Sequence, residues 1–206
     1  MSRHHPIRVV LFDVGGVLVE LSGVPTMLAW MGDRYSPEEL WKIWLTSPTV
    51  RAFETGRMTP NAFADQLIAE LELPVGRDRL LEEFTSWPRG LYPGALELVG
   101  RVPRRYTRAT LGNSNALHWP RMMGELQLGP AFDHHFASHL VGKIKPDEEA
   151  FRHVIAALGC EAQEVVFLDD NQLNVDAARK IGMTAVRVKG PAEAEQALIE
   201  AGVLSG

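Results

Sequence analysis

The sequence predicts an α/β protein with a doubly wound, Rossmann-like parallel sheet and an inserted α-helical cap domain. Residues 7–18, IRVVLFDVGGVL, begin with an apolar run that ends at an acid and two glycines, which is typical of a strand buried on both faces. From residue 95 onward, strand and helix patterns alternate, as in the right-handed crossovers of parallel sheets. Between these parts, residues 20–87 carry helix signals and almost no strand signals. We therefore expect a core domain from residues 1–19 and 90–206 and a cap domain from residues 20–89.

Composition and charge are those of an ordinary globular protein. The chain has 206 residues, 46% of them hydrophobic, which is enough for one good core and a small inserted domain. A formal net charge of −5 gives no electrostatic reason to expect nucleic acid or an anionic membrane as a partner. The single cysteine, Cys160, excludes an internal disulfide framework, and the sequence contains neither a membrane-spanning run nor a signal-peptide core. We expect a cytoplasmic protein; the sequence carries no signal for its oligomeric state.

Helix signals are clearest in the cap. Ser36-Pro37-Glu38-Glu39 combines an N-cap serine, a proline in the first turn and a capping-box glutamate, so a helix begins there. Thr59-Pro60 begins a second helix, and a third spans residues 77–84. Residues 88–94 are interpreted as the linker back to the core. We interpret four tryptophans as the core of a helical bundle rather than as substrate-stacking groups: Trp30, Trp41, Trp44 and Trp87.

The rest of the chain alternates between strands and helices. We predict strands at residues 106–111, 132–138, 165–168 and 184–188. We predict helices at residues 95–100, 113–128, 146–158, 171–181 and 191–202. This order places the cap over the edge of the sheet where the carboxyl ends of the strands lie and where ligands bind.

Polar side chains follow three of the predicted strands at that edge. Asp13 follows the first strand, the sequence GNSN at residues 112–115 follows the second, and Asp169-Asp170 follows a later one. Lys145 precedes the first turn of a predicted helix, where its ammonium group would reach a bound phosphate. Clustered carboxylates suit Mg²⁺, which takes one or two protein carboxylates together with a substrate phosphate. Each residue alone also fits a helix cap, a turn or a surface lysine, and their joint occurrence is what indicates a site.

With its motifs in order, FDVGGVL, LGNSN, KIKPDEEAF and FLDDNQLNV, the chain resembles the haloacid dehalogenase-like (HAD) hydrolase superfamily. It is most similar to the subgroup with a helical cap inserted after the first motif, in particular to bacterial sugar-phosphate phosphatases and to the phosphatase domain of soluble epoxide hydrolases. The resemblance implies a Mg²⁺-dependent phosphatase that acts on a small phosphorylated metabolite, such as a sugar phosphate, through an aspartyl-phosphate.

The resemblance also implies a role for individual residues. Asp13 would be the nucleophile, which splits one hard step into two easier ones, and Lys145 would stabilise the charge on the phosphoryl group. Asp170 would bind the metal directly, and Asp169 directly or through water. The implied phosphate-binding residues are Gly112, Asn113, Ser114 and Lys145, and the implied metal ligands are Asp13, the Gly15 carbonyl, Asp169 and Asp170.

Two positions depart from the family pattern. Most phosphatases of this superfamily carry a second Asp, a general acid and base, two residues after the nucleophile, and this chain has Gly15. Loss of such a group costs about 10² to 10⁴ in rate unless another group substitutes for it. Gly112 replaces the usual Ser or Thr before Asn113, which removes a phosphate hydrogen bond of about 1 to 3 kcal/mol.

Three alternative interpretations stay open at this point. A response-regulator receiver domain also combines a phosphorylated aspartate, a lysine and an acid pair, but in another order and without an inserted cap. A haloacid dehalogenase shares the fold and nucleophile but needs no metal, so Asp169-Asp170 argues against it. A catalytically weak family member that binds a phosphorylated ligand or a protein partner is favoured by the two glycines and opposed by the retained acids and lysine.

Histidines and arginines outside the motifs have simpler interpretations. His118 would be placed to replace the missing proton donor, although we favour a solvated histidine at a helix start. Arg51 and Arg57 are interpreted as surface arginines rather than substrate contacts. Adjacent histidines on a strand point to opposite faces, so we expect no transition-metal site from the cluster His134, His135 and His139.

Overall fold

A central sheet with helices on both faces and a separate group of helices make up the chain. The structure is a computed structural model that describes residues 6–32 and 34–205. Its strands are β1 (Val9–Phe12), β2 (Val19–Leu21), β3 (Pro88–Leu91), β4 (Thr107–Gly112), β5 (His134–Ala137), β6 (Val165–Asp169) and β7 (Thr184–Arg187). Its α-helices are α1 (Gly23–Trp30), α2 (Pro37–Thr46), α3 (Pro48–Glu54), α4 (Pro60–Leu71), α5 (Arg77–Thr85), α6 (Ala95–Arg101), α7 (Ser138–Val141), α8 (Glu148–Leu158), α9 (Gln172–Lys180) and α10 (Gly190–Glu200). None of these described helices is both long and apolar enough to cross a membrane.

Five parallel strands form the central sheet in the order β5-β4-β1-β6-β7. β1 lies in the middle, where Phe12 is beside Thr110 of β4 and Leu168 of β6. Its four side chains are all buried and alternate between the two faces: Val10 and Phe12 pack on the side of α6 and α10, and the other two on the side of α8 and α9. Burial on both faces explains the continuous apolar run in the sequence. The predicted doubly wound, Rossmann-like fold is confirmed.

Helices α1 to α5 lie between β2 and β3 and form an apolar cluster of their own. The Ser36 hydroxyl accepts the Glu39 N–H and the Glu39 carboxylate accepts the Ser36 N–H, so the predicted capping box begins α2. Thr59 caps α4 in a similar way, and Phe53 of α3 stacks on Phe63 of α4 with ring centroids 4.2 Å apart. The predicted helical insertion is therefore present; its division from the core at residues 20–89 stays a prediction.

Two strands connect the insertion to the core side by side. β2 pairs with β3 in a two-stranded antiparallel sheet, so the chain leaves and returns to the core along neighbouring strands. The interpretation of residues 88–94 as a plain linker is therefore wrong over Pro88–Leu91. The strand signal was weak there because Pro88 and Gly90 both disfavour β-structure.

The predicted helix over residues 113–128 is also wrong in its extent. Residues 113–115 have no regular secondary structure, and helical structure begins only at residue 119, with a π-helical turn at Arg121–Glu125. The Asn115 side-chain oxygen accepts the N–H groups of Leu117 and His118, which holds a turn where the helix was expected to begin. Pro120, which has no N–H to donate, also disfavours a continuous helix through this segment. Helices α1 and α3 were not predicted, although Ser47-Pro48 before α3 carries the same start signal as Ser36-Pro37.

Candidate active site

The carboxyl ends of the neighbouring strands β1 and β6 bring the predicted acids together. Asp13 directly follows β1, and Asp169 is the last residue of β6, with Asp170 next to it. Because these strands are parallel neighbours, their ends meet at one edge of the sheet. Carboxylate oxygens of Asp13, Asp169 and Asp170 lie within 4.8 Å of one another. Asp169 is fully buried and Asp13 nearly so.

Lys145 lies between two of these acids. Its Nζ donates to Asp13 Oδ1 at 2.7 Å and to Asp169 Oδ2 at 2.6 Å, and its side chain is only 1% exposed. The alternative of a solvated surface lysine is therefore wrong. Burial alone would lower the pKa of Lys145, but the charges of Asp13 and Asp169 outweigh it and hold the pKa above its usual value. The ammonium group is charged throughout the physiological range.

The acids outnumber the lysine, and their pKa values are raised first by burial and then by this excess of negative charge. Burial raises the pKa of Asp13, with Asp169 and Asp170 adding to the effect and Lys145 opposing it. Burial, followed by the charge of Asp169, raises the pKa of Asp170 to about 6. A divalent cation at this place would offset the repulsion. The oxygen-only donor set suits Mg²⁺, so the residues present fit the expected metal.

The two acids of the pair are not equivalent. Both oxygens of Asp169 already accept hydrogen bonds, from Lys145, from the Asn171 N–H and from the Asn174 amide. Asp170 sits against Gly16, since a Cβ there would lie 2.2 Å from Asp170 Oδ2 and the φ angle of +75° also favours glycine. This arrangement fits Asp170 and Asp13 as direct metal ligands and Asp169 as a group that acts through Lys145 and water.

The loop after β4 contributes in a different way from that expected. The Asn113 side chain is paired with the backbone of Lys145: its amide donates to the Lys145 carbonyl and its oxygen accepts the Lys145 N–H, both at 2.9 Å. Asn113 therefore positions Lys145 and would meet a phosphate through its backbone. The buried Ser114 hydroxyl lines the site and has no protein partner among the described residues. At Gly112 an added Cβ would lie 3.5 Å from Val14 and 3.8 Å from Asp13, so a side chain would fit.

A cavity of about 430 Å³ joins these groups to the helical insertion. Asp13, Lys145 and Asp170 line the cavity from the core. The residues that the insertion contributes to the lining are mostly apolar, and they include Met27, Leu40, Trp41, Trp44, Phe84 and Trp87. Trp44 packs in the core of the helical cluster, as the sequence predicted for the tryptophans. Trp41 and Trp87 pack against the same cluster, and all three of Trp41, Trp44 and Trp87 also line the cavity.

Comparison with known proteins agrees with this geometry. The sequence matches the haloacid dehalogenase-like hydrolase family over residues 7–182. The chain belongs to this family. It is 29% identical over 187 residues to the sesquiterpene phosphatase astK of Aspergillus oryzae, and the match covers 88% of this chain and 89% of that protein. It is 32% identical over 189 residues to flavin mononucleotide hydrolase 1 of Arabidopsis thaliana, covering 89% and 73%.

The fold of this HAD-like hydrolase is shared with solved members of the family. A HAD family enzyme from Bacteroides thetaiotaomicron, crystallised with magnesium and inorganic phosphate, superposes with a TM-score of 0.70 and 22% identity over 89% of this chain and 94% of that one. Family membership sets aside the receiver-domain alternative. The chain is a hydrolase, and its relatives include phosphatases.

His118 does not provide the proton donor that this hydrolase lacks at Gly15. Its Nε2 lies 2.6 Å from the Phe84 carbonyl oxygen and its Nδ1 3.1 Å from the Asn115 amide nitrogen. Burial lowers the pKa of His118 to about 4, so the ring stays neutral with both nitrogens in use. The expectation of a solvated histidine is also wrong, because the side chain is buried and ties the loop after β4 to α5.

Three further candidates from the sequence, His135, Arg57 and Arg51, have partners within the protein. His135 forms hydrogen bonds with Thr110 Oγ1 and the Gly129 carbonyl, each at 3.0 Å, so both of its ring nitrogens have partners in the protein. Arg57 Nε donates to Thr55 Oγ1 at 2.9 Å. Arg51 of α3 forms an ion pair with Asp147, the residue before α8, and so links the helical insertion to the core.

Sequence reasoning missed one residue of this site altogether. Glu54, the last residue of α3, is only 6% exposed and lines the same cavity as Asp13 and Lys145. Its Oε1 accepts the Trp44 Nε1–H at 3.3 Å. Burial raises the pKa of Glu54 to about 7, although the Trp44 hydrogen bond, Lys145 and Arg51 lower it. One available signal was that this acid comes four residues after Val50 and directly after Phe53, which places it on the apolar side of α3. The start signal of that helix was itself missed.

Proposed function

We propose that the chain is a Mg²⁺-dependent phosphatase that hydrolyses a small phosphorylated metabolite through an aspartyl-phosphate on Asp13. The observation that carries the proposal is the buried Lys145 ammonium group between Asp13 and Asp169. A buried lysine does not contribute to solubility. Burying its charge is costly unless the charge is paired, so its position calls for another explanation. Its place beside a nucleophile-like carboxylate fits a role in holding negative charge that arrives with a ligand.

The proposed reaction assigns a task to each side chain. The Asp13 oxygen that Lys145 does not hold attacks phosphorus, and the ester oxygen leaves. Lys145 stabilises the phosphoryl oxygens, while Asn113 and Asp169 fix its position. Ser114 and the loop N–H groups contact the phosphate. Asp13, Asp170 and the Gly15 carbonyl would hold Mg²⁺, with Asp169 acting through water; the bound ion would neutralise charge on the phosphate and orient it.

The cavity lining guides the choice of substrate within this class. A sugar phosphate was the expectation from the sequence, and it would need several polar partners for its hydroxyl groups. The residues that the insertion contributes to the lining are instead mostly apolar, with tryptophan, leucine, methionine and phenylalanine side chains among them. Such a surface favours an apolar ester group, because the transfer of apolar area out of water drives binding. A relative named as a sesquiterpene phosphatase supports the same preference.

The second candidate is the catalytically weak protein that binds a phosphorylated ligand or a protein partner. Gly15 favours it, since the usual acid and base is missing from the turn after β1. Binding without turnover would leave the cluster of acids and Lys145 intact and would need no proton transfer.

Phosphate release from 4-nitrophenyl phosphate, with and without Mg²⁺, distinguishes the two. We expect turnover that depends on Mg²⁺ and disappears in Asp13→Asn and Lys145→Met. Lys143→Met is the matched control, because Lys143 is partly exposed and pairs only loosely with Glu149 at 3.8 Å. Folded wild-type protein that releases no phosphate with Mg²⁺ from this ester or from a panel of alkyl and sugar phosphates would establish the binding protein instead.

A further inference from the structure

Hydrolysis of an alkyl phosphate requires a proton at two moments, and the turn after β1 does not provide it. The leaving alkoxide must be protonated as the P–O bond breaks, and the water that later attacks the aspartyl-phosphate must lose a proton. In most phosphatases of this family one Asp does both, at the position that Gly15 occupies here. His118 is excluded as a substitute by the hydrogen bonds of both its nitrogens.

We propose that Glu54 of α3 is the general acid and base of this reaction, brought to the site by the helical insertion. The proposal rests on the phosphatase function proposed above. Glu54 is a buried carboxyl group that lines the same cavity as Asp13 and Lys145, and it lies near enough to Lys145 for that charge to act on it. Among the described residues, only Oε1 of Glu54 has a hydrogen-bond partner, the Trp44 indole, which leaves Oε2 available to give and take the proton.

Contacts between the insertion and the core fix where Glu54 lies. Gly56, two residues further along, packs so closely on the core that an added Cβ would be 2.5 Å from the His139 carbonyl oxygen. The ion pair of Arg51 with Asp147 holds the preceding turn of α3 against the residue next to Lys145-Pro146. The segment that carries Glu54 is therefore seated on the core from both sides.

The proton affinity of this carboxyl group suits a group that both gives and takes a proton near neutral pH. Burial raises the pKa of Glu54 to about 7. A general acid or base works best when its pKa lies near the working pH, since both forms are then populated during turnover.

The proposed steps balance. Asp13 attacks phosphorus, the bond from phosphorus to the ester oxygen breaks, and the Glu54 proton moves to that oxygen to give the alcohol. Water then attacks the phosphorus of the aspartyl-phosphate and gives a proton to the Glu54 carboxylate. The bond from phosphorus to Asp13 breaks, which releases inorganic phosphate and restores both acids to their starting forms.

The test compares two esters with different leaving groups on the Mg²⁺-loaded enzyme. The 4-nitrophenolate anion is stable enough to leave without a proton. The alkoxide released from n-octyl phosphate must be protonated as it leaves. For Glu54→Gln we expect kcat/KM for n-octyl phosphate to fall by about 10² to 10⁴. For 4-nitrophenyl phosphate, kcat/KM should change little, and a rapid burst of one nitrophenolate per enzyme should precede slow turnover, because the second step lacks its base. Glu70→Gln, at an exposed position of α4, is the matched control.

Other outcomes overturn the proposal in distinguishable ways. An equal loss of kcat/KM on both esters without a burst makes Glu54 a structural residue, and unchanged kinetics on both removes it from the reaction. If Glu54→Gln fails to fold, Glu54→Asp takes its place, because this variant keeps the carboxyl group. We expect Glu54→Asp to show the burst-free kinetics of the wild type. If it shows the burst instead, the proposal fails. Wild-type enzyme that is inert on both esters with Mg²⁺ refutes the phosphatase function itself.

Discussion

At the scale of single residues, the site is defined by buried charge. Lys145 and Asp169 are enclosed together, and their sequence motifs identify them because residue type and order along the chain carry the information. Glu54 carries no such motif. Its burial depends on how α3 packs against α2 and on Trp44 reaching its carboxylate, which are tertiary contacts that no local pattern predicts. Sequence reasoning therefore found the groups that hold a phosphate and missed the acid in the cap.

The raised pKa of Glu54 predicts a pH-dependent effect on stability that is independent of activity. Burial raises this pKa from 4.5 to about 7, so the folded protein binds the proton more tightly than the unfolded chain does. The stabilisation is present below the unfolded pKa and is lost as pH rises through the folded one. Glu54→Gln cannot ionise, so from pH 5 to pH 8 its free energy of unfolding should rise by ~2–3 kcal/mol relative to the wild type.

Urea denaturation of both proteins at the two pH values measures this difference. The other titrating groups are shared and cancel in the comparison. Parallel curves for wild type and Glu54→Gln would mean that Glu54 is ionised throughout and cannot donate a proton near neutral pH.

At the scale of elements, the composition of the site depends on which residues lie at the ends of the strands. Gly112 closes β4 beside Asp13, and the space around it admits a side chain. The five strands of the central sheet were predicted, β1 and β6 from the continuous apolar runs that burial on both faces leaves, but β2 and β3 were missed. The helix expected directly after β4 does not form, because the Asn115 side chain competes with the backbone for its N–H groups and holds a turn there.

Gly112→Ser should restore the hydroxyl that most relatives place before the asparagine. An added hydrogen bond to a phosphate is worth ~1 kcal/mol, so KM for 4-nitrophenyl phosphate should fall about fivefold. Gly90→Ser is the control, since Gly90 also lies in a strand and has open space around it. Steady-state kinetics give the answer, and a KM that rises in Gly112→Ser alone would mean that the space is needed by the phosphate itself.

At the scale of the whole molecule, the cavity exists only because the insertion sits on the core. Three contacts of different chemistry join the two parts: the buried bond of His118 to the Phe84 carbonyl, the close packing of Gly56 on the His139 backbone, and the Arg51–Asp147 ion pair. The ion pair is the exposed one of the three, so it is the contact that salt weakens.

Removing the charge of Asp147 should loosen this closure without unfolding the protein. Asp147→Asn keeps a good residue at the start of α8, and exposed ion pairs contribute ~0.2–1 kcal/mol, so kcat/KM should fall up to about fivefold. The wild-type value should fall as salt rises from 50 to 500 mM, and the variant's should not. Asp65→Asn breaks an ion pair with Arg77 inside the insertion and should keep the wild-type salt dependence. A salt response shared by all three proteins would contradict this assignment.

The antiparallel pair of β2 and β3 has a consequence for the evolution and the redesign of such an enzyme. Because the strands that lead into and out of the insertion are hydrogen-bonded neighbours, everything between Leu21 and Pro88 is attached to the sheet like an exchangeable cassette. A cassette from a relative would bring a new ester-binding surface and leave the five-stranded sheet in register. In this chain the cassette also carries Glu54, so an exchange would have to bring its own acid or be paired with Gly15→Asp. Exchange of the insertion would then transfer the substrate-binding surface and the proton-transferring group together.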